Sequence, residues 1–98
     1  LPTLPSEERA AVLEGVRSFF KGDYREAVRH LEPVKGTSPV ARAFLAYAIV
    51  SEELLAEKPS IENVARAREE FRVAGAEGAP RPDGRISPSV LKLLVSEK

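Results

Sequence analysis

The chain has 98 residues, of which 43% are apolar and 31% charged; this leaves no room for a second full-sized core and excludes wholesale disorder, collagen and a bare coiled coil. Fifteen Lys and Arg balance fifteen Asp and Glu, so neither nucleic acid nor an anionic membrane surface is expected as a partner held by bulk charge. With no cysteine and a single histidine, a disulfide frame, a thiolate metal site and a thiol nucleophile are ruled out, and no metal or cofactor is expected.

Ser6, followed by Glu7 and Glu8, predicts a helix start, with a hydroxyl for an orphan amide and acids at the positive end of the dipole; Gly22 supplies the stop. Within this helix either Val12, Val16 and Phe19 or Leu13, Val16 and Phe20 form the apolar face. Asp23 is expected to cap a second helix whose stripe is Tyr24, Ala27, Val28, Leu31 and Val34. Pro33 should end regular helix near Leu31 or Glu32. Ser38 and Pro39 then make a cap followed by a proline whose missing amide costs nothing. The third helix, from Val40 to Leu55, has almost no polar face and should be central.

Beyond Lys58 and Pro59, Ser60 caps a fourth helix with Ile61, Val64, Ala67, Phe71 and Ala74 as its stripe and Gly75 as its terminator. Three Gly and two Pro in residues 75–85 predict a surface loop, with a tight turn at Pro82, Asp83 and Gly84. Ser87 and Pro88 repeat the cap-plus-proline opening, and the short helix behind them carries Val90, Leu91, Leu93 and Leu94, too apolar for an exposed tail. No strand is predicted. The fold class read from these signals is all-α: one domain of two stacked antiparallel helical hairpins (6–35 and 38–75), a loop (76–86) and a C-terminal capping helix (87–97).

The two hairpins share a pattern, Ala27, Leu31 and Val34 in one and Ala67, Phe71 and Ala74 in the other, at identical spacing. Here the chain resembles the tetratricopeptide repeat family. The segment from Gly22 through Asp23, Tyr24, Arg25 and Glu26 to Ala27 looks like that family's turn and second helix, with Leu31 and Pro39 at matching positions, and Gly15 falls on its small residue. Glu14 and Ser18 stand where the family usually has large apolar residues. The order of elements is also similar to degenerate C-terminal repeat domains of bacterial multidomain proteins, so a fragment of a longer bacterial chain is expected.

The resemblance implies a protein-interaction or assembly module that binds a peptide or partner surface in a helical groove. In stacked hairpins the first helices line the concave side, so the candidate partner-binding residues are Arg9, Val12, Phe19, Phe20, Arg42, Tyr47 and Val50, with Lys21 at the rim. A structural spacer without its own ligand is the alternative. Arg42, Arg66, Arg68 and Arg72 read either as a basic patch for an acidic peptide or as ordinary salt-bridge partners of Glu62, Glu69 and Glu70.

An enzyme is not expected. His30 with Glu26 one turn earlier reads as a solvated pair, and the adjacent carboxylates Glu7/Glu8, Glu52/Glu53 and Glu69/Glu70 point about 100° apart on a helix and do not converge. No run reaches the roughly 20 apolar residues needed to cross a bilayer, so no membrane insertion is expected and the chain should be soluble, cytoplasmic or exported. Oligomeric state is left open.

Overall fold

The computed structural model describes residues 5–82 and 84–95. They form α1 (Pro5–Phe20), α2 (Tyr24–Leu31), a single 3-10 turn (Glu32–Val34), α3 (Pro39–Leu55), α4 (Ile61–Ala76) and α5 (Pro88–Val95). Among the described residues there is no strand. The protein is all-α. α1 packs against α2 and α3 against α4, as two hairpins; α2 and α1 both lie on α3, and α5 docks on α3 and α4. The Cα radius of gyration, 12.7 Å, is close to the roughly 13 Å of a compact chain of this length.

The ends of the helices follow from a few residues. α1 already includes Pro5, so Ser6 lies inside its first turn and not at its cap. At its other end Gly22 takes φ +87°, its N–H donates to the Phe19 carbonyl at 3.0 Å, and the Asp23 N–H donates to the Ser18 carbonyl at 2.9 Å. This is a Schellman closure, which only glycine adopts without steric cost. Asp23 occupies the cap position of α2, but its carboxylate makes no capping bond; its carbonyl accepts from the Ala27 N–H instead. Pro33 ends regular helix at Leu31, as its ring and missing donor require.

Ser38, Ser60 and Ser87 do cap their helices. Their hydroxyls accept from the N–H groups of Val40, Asn63 and Ser89, each at 3.2 Å. In α3 and α5 the bond goes to the second helical residue and in α4 to the third, the two amides a capping hydroxyl reaches, and the proline at the first position of α3 and α5 forfeits no bond. α4 runs past Gly75 and stops at Gly78, which takes φ +96°. The Gly78 and Ala79 N–H groups return to the Gly75 and Ala74 carbonyls, a second Schellman closure. The predicted turn residue Asp83 and the last residues of the predicted capping helix, 96–97, lie outside the described residues.

α3 is the central element: from Leu45 through Ser51 every residue is buried. Around it the core collects Phe19, Ala27, Leu31 and Val34 from the first hairpin, Ala67 and Ala74 from α4, and Val90 and Leu94 from α5. In α1 the inner face is Val12, Gly15 and Phe19, while Leu13 and Phe20 face solvent. Gly15 lets α2 approach: a Cβ there would stand 2.4 Å from the Leu31 Cγ. Two expectations need correction. Ile61 is 85% exposed and takes no part in the α4 stripe, because it is the first helical residue and projects past the end of the hairpin. The loop after α4 crosses the surface, but its Ile86 is buried in the core.

A buried carboxylate ties the hairpins together. Glu70 of α4, 7% exposed, accepts from Lys35 Nζ at 2.7 Å and from an Arg42 terminal nitrogen at 2.6 Å. Lys35 also pairs with Glu32 at 3.1 Å, and Arg66 pairs with the same Glu32. The Arg42 Nε lies 3.4 Å from Glu77, within ion-pair range but without hydrogen-bond geometry. One charged cluster thus spans the 3-10 turn, α3 and α4.

Candidate functional site

The seven residues predicted to line a groove do not lie along one surface. Val50 has no exposed area, Tyr47 is 2% exposed and Phe19 is buried. Phe19 sits in an aromatic cluster with ring centroids 5.2 Å from Phe20, 5.6 Å from Tyr24 and Phe44, and 6.1 Å from Tyr47. Tyr47 continues the cluster to Phe71 at 6.0 Å. Arg9 and Val12 line a separate shallow hollow of about 240 Å³ with Glu8, Thr37 and Ser38. Arg42 is held in the Glu70 cluster. Phe19 and Phe20 both line one open crevice, Phe19 from within the core and Phe20 with 43% of its surface exposed.

The reason is that the chain covers its own α3. The face formed by Val40, Ala43, Phe44 and Tyr47 is roofed by Pro80, Arg81, Pro82, Arg85 and Ile86, leaving a space of about 150 Å³. Burial of Ile86, Val90 and Leu94 is favourable by roughly 2 kcal/mol each, which drives the loop and α5 onto the surface that a groove would have used.

One opening that remains is a crevice of about 280 Å³ where the C-terminal ends of α1 and α3 meet the start of α2 and of α5; a larger and more open hollow of about 470 Å³ lies over α4 and α5 beside Phe71, Leu94 and Val95. Phe19, Phe20, Leu54, Leu55 and Val90 supply apolar lining; Ser51, Tyr24, Arg85 and Ser87 supply polar groups. The Arg85 guanidinium carbon lies 5.0 Å from the centre of the Phe20 ring, a cation–π contact. Leu54 and Leu55 are 43% and 75% exposed. Sequence reasoning placed these two leucines in a helix with neighbours on several sides and so missed them as surface. The available signal was their position after Glu52 and Glu53, in the last turn before the Lys58–Pro59 break, where a helix outruns its packing partners.

The arginines of the second hairpin are already engaged. Arg42 holds Glu70, Arg66 holds Glu32, and Arg72 holds Glu69. Arg68 donates from Nε to the Leu93 carbonyl at 2.7 Å, satisfying an end group of α5. The adjacent acids diverge as helical geometry requires: Glu52 pairs with Arg25 at 3.1 Å, while Glu53 accepts from the Ser60 N–H at 2.6 Å and the Asn63 amide at 2.8 Å. Those bonds hold the Glu53 carboxyl below its usual pKa. Burial pushes the Glu70 carboxyl up, but Lys35 and Arg42 together outweigh it and its pKa is lowered.

His30 Nε2 lies 3.8 Å from Glu26, both side chains partly exposed. Among the described residues no group of three or more His, Cys, Asp or Glu could hold a metal ion, and no helix is long and apolar enough to cross a membrane. In comparisons with protein-family models, curated proteins and solved structures, the chain finds no match.

Proposed function

We propose that this domain is a protein-interaction module of tetratricopeptide-like design whose contact surface is the crevice around Phe20, Leu54 and Leu55. The observation that carries this reading is the exposure of those three large apolar side chains around one opening, whereas the other exposed large apolar side chains among the described residues, Leu13, Ile61 and Val95, lie outside its lining. Adjacent exposed apolar groups of this size favour a protein contact. The tetratricopeptide-like part of the reading is supported by the paired hairpins, the closed Gly22 corner and the Gly15–Leu31 approach.

A pull-down with the full chain tests it. A protein recovered by the wild type should be lost with a Leu54→Ser/Leu55→Ser variant that keeps the wild-type circular dichroism and melting curve. Recovery of the same proteins by both would remove the crevice from the reading. The alternative, a spacer that only positions neighbouring domains, is favoured by the way Ile86, Val90 and Leu94 fill the face of α3 and α4; it predicts that no specific partner is recovered by either chain.

A further inference from the structure

We propose that the crevice takes a tyrosine side chain of a partner protein, its ring against the apolar lining and its phenol hydroxyl on Ser51. This rests on the interaction reading above and adds the chemistry of the inserted group. Ser51 is 5% exposed, and the other buried polar residue, Glu70, is held by two cations. Ser51 has no such partner: among the described residues no hydrogen bond reaches or leaves its hydroxyl, not even the bond to the carbonyl one turn back that helical serines commonly make. Among those residues the Arg42 Nε is the one side-chain polar atom both sealed from solvent and without a hydrogen-bond partner. The Ser51 Oγ therefore keeps an opening, and the crevice is the opening its residue lines. Ser51 lies one helical turn, about 5 Å, before Leu54 and Leu55 at the exposed end of α3, which sets the hydroxyl deeper than the two leucines.

The shape of the ligand follows. It needs an apolar body against Phe19, Phe20, Leu54 and Leu55 and a hydrogen-bonding group at its far tip. Tyrosine carries its hydroxyl at the end of a straight apolar ring, whereas tryptophan has its N–H on the flank and phenylalanine and leucine have no polar group. A phenol both donates and accepts, as serine does, so the pair can bond in either sense. A partner residue that expelled solvent from Ser51 without bonding it would leave a buried hydroxyl unsatisfied. Arg85 stands over the Phe20 ring and is already engaged, so no charge is asked of the ligand. At about 280 Å³ the opening is just below the range of small-molecule sites and suits one aromatic side chain from a chain lying across it.

Two experiments test the assignment. Ser51→Ala removes a hydroxyl that bonds nothing in the fold and puts a better helix former in α3, so its melting temperature should stay within about 4 °C of the wild type or rise; a larger fall would show that the fold itself uses the hydroxyl and would overturn the inference. Random short peptides displayed on phage and selected on the immobilised full chain should be enriched in tyrosine. In a synthetic copy of the strongest, phenylalanine in place of that tyrosine should weaken binding about fivefold to the wild type and less than about twofold to Ser51→Ala. Binding should be lost with Leu55→Ser, a change at a 75% exposed position. Peptides that Leu55→Ser loses but that lack tyrosine, or that show equal phenylalanine losses on the wild type and Ser51→Ala, would overturn this inference and leave the interaction reading standing. Failure to enrich any peptide that Leu55→Ser loses would overturn both. N-acetyltyrosinamide binding as tightly as the peptide would assign the crevice to a free small aromatic, and a concentration-dependent dimer abolished by Leu55→Ser would assign it to a second copy of the chain; either result overturns the proposal.

Discussion

Gly15 admits no side chain: the Leu31 Cγ lies 2.4 Å from where a Cβ would stand, and Leu31 is itself fully buried. Gly15→Ala should therefore destabilise by overpacking, by about 1–3 kcal/mol. Gly75→Ala makes the complementary case, since it sits in helical backbone with nothing within 4 Å of its would-be Cβ; removing a helix glycine there should stabilise by roughly 0.5–1 kcal/mol. Thermal melts of the two variants should move in opposite directions, and a shift of the same sign would contradict the α1–α2 approach. The same logic separates neighbours on α4. Ala67 has no exposed area whereas Ala65 is exposed, so Ala67→Leu should cost about 1–3 kcal/mol and Ala65→Leu less than about 0.5. Arg68 is no neutral comparison, because it closes the end of α5.

Between elements, the Glu70 cluster couples the two hairpins through charge as well as packing. Glu70 is 7% exposed with two cations on its carboxylate, so Glu70→Gln removes both ion pairs and leaves Lys35 and Arg42 without their shared anion, a loss of about 3 kcal/mol by analogy with broken buried pairs. The pH dependence has a definite sign. Because the folded pKa of Glu70 lies below the ordinary glutamate value of 4.5, its contribution is fully present above that pH and is lost as pH falls through the lower, folded value. Below about pH 4.5 the wild-type melting temperature should drop faster than that of Glu70→Gln; parallel acid profiles would show that the carboxylate contributes nothing on ionisation. α5 offers an uncharged counterpart. Leu94 is buried and Val95 is 61% exposed, so Leu94→Ala should cost about 2–4 kcal/mol and Val95→Ala close to none, as measured by urea unfolding.

For the molecule as a whole, α3 carries contacts to all four other helices, and its residues from Leu45 through Ser51 are buried without interruption. A domain organised around one such element should unfold in a single transition, with far- and near-ultraviolet circular dichroism coincident. Hydrogen exchange should be slowest in the middle of α3 and fastest in α1's first turns and the loop before α5. If the first hairpin instead exchanges through an opening as rare as that of α3, the stability is shared evenly and the central-helix account fails. The proposed contact surface sits at the opposite extreme of this gradient: the crevice is built from helix ends, where α1 and α3 outrun their neighbours and leave Phe20, Leu54 and Leu55 uncovered.

Features that depend on a few consecutive residues are readable in the amino-acid order alone. Ser38, Ser60 and Ser87 were legible as caps, Pro33 as the end of α2, the stripe of Ala27, Leu31 and Val34 as a buried face, and the apolar run of α3 as a centre, because each is a backbone or periodicity preference expressed within one or two turns. Even among local signals a choice between neighbours could go astray: Gly75 and Gly78 were both present, and the chain closes on the second because only there does the backbone reverse into positive φ. What tertiary structure alone decided was which residues meet across elements. Glu70 is buried because Lys35 and Arg42, 35 and 28 residues away, converge on it. Tyr47 has no place on a groove because Ile86, beside it, gains more by leaving water than an open face could offer, and Val50 has no exposed area at all. The crevice itself has no sequence signature, since its lining comes from α1, α2, α3, α5 and the approach to α5, and the spacing of those residues along the chain carries no record of their distance in space.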